Sequence, residues 1–162
     1  MVLDMLLGMP RKRSGAVGPA SVHLRLEGEV VGLWFEMQGR LQGHFTALAA
    51  EYGLSAVQAK VLLQLQPQGA MTMRTLAREL QYDASNLTGV VDRLEEMGMV
   101  RRQPQPLDRR AKGVVLTDEG QRVRQAFWER LTSKSGPLGR LDSRDLTSLR
   151  GLLRSALEVP DR

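Results

Sequence analysis

Apolar residues recur every three or four positions through most of the chain, and the spacing turns strand-like in only one place. Between Ser21 and about Ala50, the residues Leu26, Val30, Trp34, Met37, Leu41, Phe45 and Leu48 mark one face of a long helix. Gly28, Gly32, Gly39 and Gly43 interrupt it, each weakening a helix by about 1 kcal/mol relative to Ala. Packing has to compensate, for instance through close approach of a partner backbone. Gly53, after Tyr52, is a natural stop.

Shorter helices follow. Ser55 and Gln58 have capping-box spacing, and Val57, Val61, Leu62 and Leu65 form the buried stripe of a second helix closed by Pro67 and Gly69. Thr72 caps a third helix, whose Met73, Leu76, Ala77 and Leu80 share one side. A tight connection at Gln81 and Tyr82 leads to a fourth helix, capped by Asp83 and stopped by Gly98. Its inner stripe is Leu87, Val90, Val91, Leu94 and Met97. That stripe forces Ala84, Ser85, Asn86, Thr88, Gly89, Asp92 and Arg93 to the outer side.

The period then changes. Residues 99–103 and the β-branched run Gly113 to Leu116 read as two strands of a hairpin around a loop with two prolines. Thr117 caps a fifth helix with Val123, Ala126, Phe127 and Leu131 inward. Pro137 and its flanking glycines interrupt it. Ser143 caps a last helix with Leu146, Leu149, Leu153, Ala156 and Leu157 inward.

Two short amphipathic helices joined by a tight turn form a helix-turn-helix, and the second helix of such a unit normally enters the DNA major groove. Ser, Asn, Thr and Arg on its outer side can read base edges or hold phosphates, although a solvated helix face has the same composition. The hairpin adds weight to the first reading. Arg101 to Lys112 carries five basic residues and one acid, Asp108, with Arg109 and Arg110 at the tip. An Arg there suits the negative potential of a narrow minor groove. An acid at a basic tip does not favour phosphate directly, so Asp108 is expected to hold an Arg, either Arg110 across the turn or Arg93 on the helix. The whole chain of 162 residues carries a formal charge of +5, which agrees with a polyanionic partner but is a weak signal alone.

These segments resemble one family. LDRRAKGVVLTDEG looks like the wing signature of the multiple-antibiotic-resistance regulator (MarR) family, with the Asp-x-Arg motif at Asp108, Arg109 and Arg110. MTMRTLAREL and DASNLTGVVDRLEEMG resemble its helix-turn-helix, and LSAVQAKVLLQL the helix before it. The likeness spans roughly Leu26 to Leu157 and is sharpest from Leu54 to Gly120. It implies a mainly α fold: a winged helix-turn-helix of about six helices plus a β-hairpin wing, joined as a two-fold homodimer through the N- and C-terminal helices. It implies palindromic double-stranded operators, usually bound by a repressor that a small ligand relieves. By the resemblance Arg110 is the minor-groove residue, and Ser85, Asn86, Thr88 and Arg93 match recognition-helix positions. The expected DNA-binding set is therefore Thr72, Arg74, Ser85, Asn86, Thr88, Arg93, Asp108, Arg109, Arg110 and Lys112. The resemblance also supports a ligand pocket, for which Trp34, Met37 and Phe45 are candidates, though core or dimer packing explains each of them too.

Four regions follow: a flexible basic arm over residues 1–20, a dimerisation helix over 21–53, the DNA-binding lobe over 54–117, and C-terminal dimerisation helices over 118–162. The arm is not something the family pattern explains. Its apolar run precedes Arg11, Lys12 and Arg13, the reverse of a secretory signal. No stretch has the roughly 18 apolar residues of a membrane span. The absence of Cys excludes disulfides, thiolate metal sites and thiol-based oxidant sensing, and fits a reducing cytoplasm. An enzyme needs a converging nucleophile, base and stabilisers. The two histidines, His23 and His44, lie about six turns apart on one helix and cannot share a metal. No cofactor is implied. Two other readings of the same fold are a protein–protein docking module and a sequence-independent architectural DNA binder.

Overall fold

The computed structural model describes residues 19–104 and 112–158. The first helix, α1, runs over Pro19–Glu51. It is followed by α2 (Ala56–Gln64), β1 (Met71–Thr72), α3 (Met73–Leu80), α4 (Ala84–Glu96), β2 (Val100–Pro104), β3 (Lys112–Leu116), α5 (Asp118–Leu131) and α6 (Ser143–Leu157). The chain divides into two compact units, residues 1–42 and 43–162.

The described part of the first unit is the N-terminal stretch of α1. Its apolar residues face water: Leu26, Val30 and Trp34 are each more than half exposed. Ion pairs between Arg25 and Glu29 (3.1 Å) and between Arg40 and Glu36 (2.6 Å) decorate the same helix at four-residue spacing.

The second unit holds the core. Leu48 and Ala49 from the end of α1, Leu62 and Leu65 after them, Leu76 on α3, Leu87, Val91 and Leu94 on α4, Val100 and Val114 in the sheet and Phe127 on α5 are all buried. Phe45 and Tyr52 meet Phe127 edge-to-face, with centroids 5.2 and 5.7 Å away.

The caps follow the sequence closely. Ser55 and Gln58 form the reciprocal capping box of α2. Thr72 Oγ1 accepts from the Thr75 N–H (3.1 Å), and Thr117 Oγ1 from the Gly120 N–H (3.0 Å). Two expectations need correction. The last helix is capped by Asp142, not Ser143: Asp142 Oδ1 accepts from the Asp145 N–H at 2.8 Å, and Ser143 is already helical. Asp83 holds the extended cap conformation before α4, but its side chain makes no capping hydrogen bond.

The hairpin is β2 and β3, antiparallel from Val100 opposite Leu116 to Pro104 opposite Lys112. A third strand was not expected. The two-residue β1 pairs with the other edge of β3, Met71 opposite Val114 and Thr72 opposite Gly113, giving the order β1-β3-β2. It ties the entry of α3 to the middle of β3.

One junction fixes α5 to the end of α4. Gly98, at φ +70°, turns the chain out of α4 in a left-handed conformation that suits glycine. The Thr117 N–H then donates to the Met99 carbonyl (3.1 Å) and Thr117 Oγ1 to the Gly98 carbonyl (2.6 Å). Gly120 sits so close that a Cβ there would lie 1.9 Å from the Met99 oxygen. Only a residue without a side chain permits that approach.

Candidate nucleic-acid interface

The helix-turn-helix is α3, a turn at Gln81, and α4. Gln81 takes the left-handed conformation (φ 56°), and the Tyr82 N–H reaches back to the Ala77 carbonyl at 2.9 Å. This helix-ending motif normally carries Gly or Asn. Both helices pack one stripe inward, so the rest of α4 is turned to solvent. Ala84, Ser85, Asn86, Thr88, Gly89, Asp92 and Arg93 are all exposed, as the apolar spacing requires.

These outer residues are not equally free. Thr88 Oγ1 donates to the Ala84 carbonyl (3.1 Å), which leaves its oxygen able to accept. Arg93 pairs with Glu96 at 2.7 Å, but both side chains are well exposed, so the pair is weak and readily exchanged. Ser85 and Asn86 occupy the first turn of the helix. Thr72 is half-buried, and its hydroxyl caps α3 while contacting the Thr75 hydroxyl at 2.9 Å. Arg74 is exposed, and among the described residues no carboxylate pairs with it or with the exposed Arg101. Lys112 opens β3 opposite Pro104. Asp108, Arg109 and Arg110 fall in 105–111, outside the described residues.

One residue that the sequence reading passed over ties these parts together. Arg102, on β2, donates through Nη2 to Asp92 Oδ1 (2.6 Å) and through Nη1 to Glu95 Oε2. Its backbone N–H donates to Glu95 Oε1 at 3.0 Å. β2 is an edge strand, and Glu95 covers an N–H that would otherwise be open to other chains. Burial works against the Arg102 charge, but the hydrogen bonds to Asp92 and Glu95, with their charges, outweigh it and raise the guanidinium pKa. The available signal was Asp92 and Glu95 three residues apart on the helix just before an Arg-rich strand.

The apolar candidates separate. Trp34 is exposed and Met37 half-buried in the first unit, whereas Phe45 belongs to the second and packs on the core. Two surface concavities lie elsewhere. One of about 410 Å³ is bordered by Pro67, Gln121, Arg124 and Glu129, and another of about 290 Å³ by Gln66, Met71, Thr72 and Thr75. No helix among the described residues is long and apolar enough to cross a membrane.

A helix-turn-helix with a solvent-facing second helix, braced to an antiparallel hairpin and a short third strand, is a winged helix-turn-helix. Residues 54–112 match the MarR family model. It is 34% identical over 77 residues to the uncharacterized HTH-type transcriptional regulator YfiV of Bacillus subtilis (strain 168), covering 48% of each chain. It is 32% identical over 108 residues to the HTH-type transcriptional regulator PecS of Dickeya dadantii (strain 3937), covering 64% of this chain and 65% of that one. The chain thus spans less than two thirds of the length of these two relatives. The solved structure of CouR from Rhodococcus jostii RHA1 bound to p-coumaroyl-CoA superposes with a TM-score of 0.63 at 27% identity, covering 85% of this chain and 97% of CouR.

Proposed function

We propose that the protein is a homodimeric, sequence-specific DNA-binding transcriptional regulator of the cytoplasm, a repressor of a nearby operon that a small apolar or aromatic ligand releases. The observation that carries this reading is the outer face of α4: short polar side chains at its start are exposed, while Leu87, Val91 and Leu94 on its inner side are buried. In this account Ser85, Asn86 and Thr88 touch base edges in the major groove. Arg74, Arg93, Arg109 and Lys112 hold phosphates, Arg110 enters the minor groove, and Asp108 orients an Arg of the wing. Thr72 serves chiefly by capping α3 at the DNA-facing end of the unit.

The dimer reading rests on the apolar residues left in water on α1 and α6, among them Trp34 and Leu157. A second copy, related by two-fold symmetry, is the simplest cover for them and would set two recognition helices on a palindrome. The ligand reading draws on a structural neighbour, CouR, which has been solved with p-coumaroyl-CoA bound. Here Trp34 and Met37 are the residues offered to it, because Phe45 is committed to the core.

Selection of bound duplexes from a random-sequence pool tests the proposal. The expected result is a palindromic consensus, retained at physiological salt and lost when an effective phenolic or lipophilic ligand is added. Recovery of sequences with no symmetric consensus returns the architectural reading, and recovery of no DNA returns the docking-module reading.

A further inference from the structure

Resting on the regulator reading above, the structure points to a residue outside the expected DNA-binding set that governs how selectively the protein reads DNA. Asp92 and Glu95 are carboxylates on the helix that carries the base-reading side chains, a place where uncompensated negative charge repels phosphate. Both are engaged by Arg102, which comes from the strand leading into the wing. Its side chain is only 23% exposed, so the guanidinium lies between helix and strand rather than projecting outward. A planar guanidinium can bridge two carboxylates in a fixed geometry, whereas a lysine ammonium on a flexible stem cannot. Because Glu95 also takes the Arg102 backbone N–H, the strand is held by its main chain as well as its side chain.

We propose that Arg102 is a positioning residue that sets the angle between the recognition helix and the wing, so that the two address DNA as one rigid piece. Base-edge contacts discriminate only when the helix meets the groove in one register. Phosphate contacts tolerate a loosened angle because side chains can reach neighbouring phosphates. Loosening the bridge therefore costs selectivity before it costs affinity. The net charge near DNA is the same with Lys at position 102, which separates geometry from electrostatics.

The test compares wild type, Arg102→Lys and Glu95→Gln on the selected palindrome and on a scrambled duplex of equal length. Active fractions are fixed by stoichiometric titration, and each measurement is repeated across salt. Arg102→Lys is expected to lower the ratio of palindrome to scrambled affinity by about tenfold, to leave scrambled affinity within about twofold, and to keep the salt slope. Glu95→Gln removes a negative charge as well as a bridge arm. Its scrambled affinity should rise while its selectivity falls, a pair of changes that a general loss of folding cannot produce. It also keeps the inference testable if Arg102→Lys does not fold. An unchanged selectivity ratio in the folded variants overturns the inference and leaves the bridge a fold element only. Weaker binding to both duplexes, with a salt slope reduced by about one per subunit, overturns it in favour of direct phosphate contact by Arg102. Wild-type protein that binds neither duplex overturns the regulator reading itself, and this inference with it.

Discussion

Leu87, Val91 and Leu94 on α4 are fully buried within a single chain, whereas Leu152 and Leu157 on α6 are 70% and 84% exposed. The same contrast separates the two ends of α1: Leu48 and Ala49 are in the core, while Leu24 and Phe35 are 68% and 66% exposed. The winged lobe closes its own core from one chain. The terminal helices carry apolar faces that one chain leaves open. The middle of the sequence therefore closes a core, and its ends carry the apolar faces that the proposed dimer would cover.

Substitutions break the two regions differently. Leu94→Ala, in the closed region, should cost about 2–5 kcal/mol of unfolding free energy, read by urea denaturation, because the site has little room to collapse. A cost below about 1 kcal/mol would mean that the core is looser than its burial indicates. Trp34→Ala, in the open region, should weaken dimerisation by about 10–100-fold in sedimentation experiments, as expected for an aromatic anchor at an interface. The unfolding of the lobe should change little. If dimerisation is unaffected, the exposed face of α1 has some other cover.

How far the sequence spoke also differed between the regions. In the lobe the inner stripes of α2, α3 and α4, the capping box at Ser55 and Gln58, and the caps at Thr72 and Thr117 were all legible, because each depends on spacing within one element. The strand β1 was not: two residues are too few to show an alternating pattern, and Met71–Thr72 becomes a strand only by pairing with β3. Arg102 was missed for a related reason, since its partners lie seven and ten residues back on another element. Asp142 and Ser143 are both good cap residues, and only the backbone decided between them. The outer face of α4 was read correctly by elimination, although the spacing did not reveal that Asp92 on that face is engaged by the hairpin.

Two smaller effects sharpen the contrast. Asp142→Ala removes the cap of a helix that buries no residue of its own chain, so about 1 kcal/mol should be lost locally. Hydrogen exchange should show it in the first turn of α6 and nowhere in α4. Exchange that rises equally in both would show that α6 and the lobe unfold together. Gln81→Gly should act in the opposite direction. It relieves a left-handed non-glycine residue in the turn of the helix-turn-helix, and should stabilise the lobe by up to about 1 kcal/mol in thermal unfolding. A destabilised variant would show that the Gln81 side chain contributes something its exposed position does not reveal.

In the proposed function the exposed face of α4 reads sequence. The most direct measurement is the affinity of wild type and Asn86→Ala for the selected palindrome and for scrambled duplex at matched salt. Asn86→Ala is expected to weaken palindrome binding by about 1–3 kcal/mol per subunit while scrambled binding is unchanged. Equal affinities of the wild type for the two duplexes, or an Asn86→Ala variant that keeps full selectivity, would contradict it.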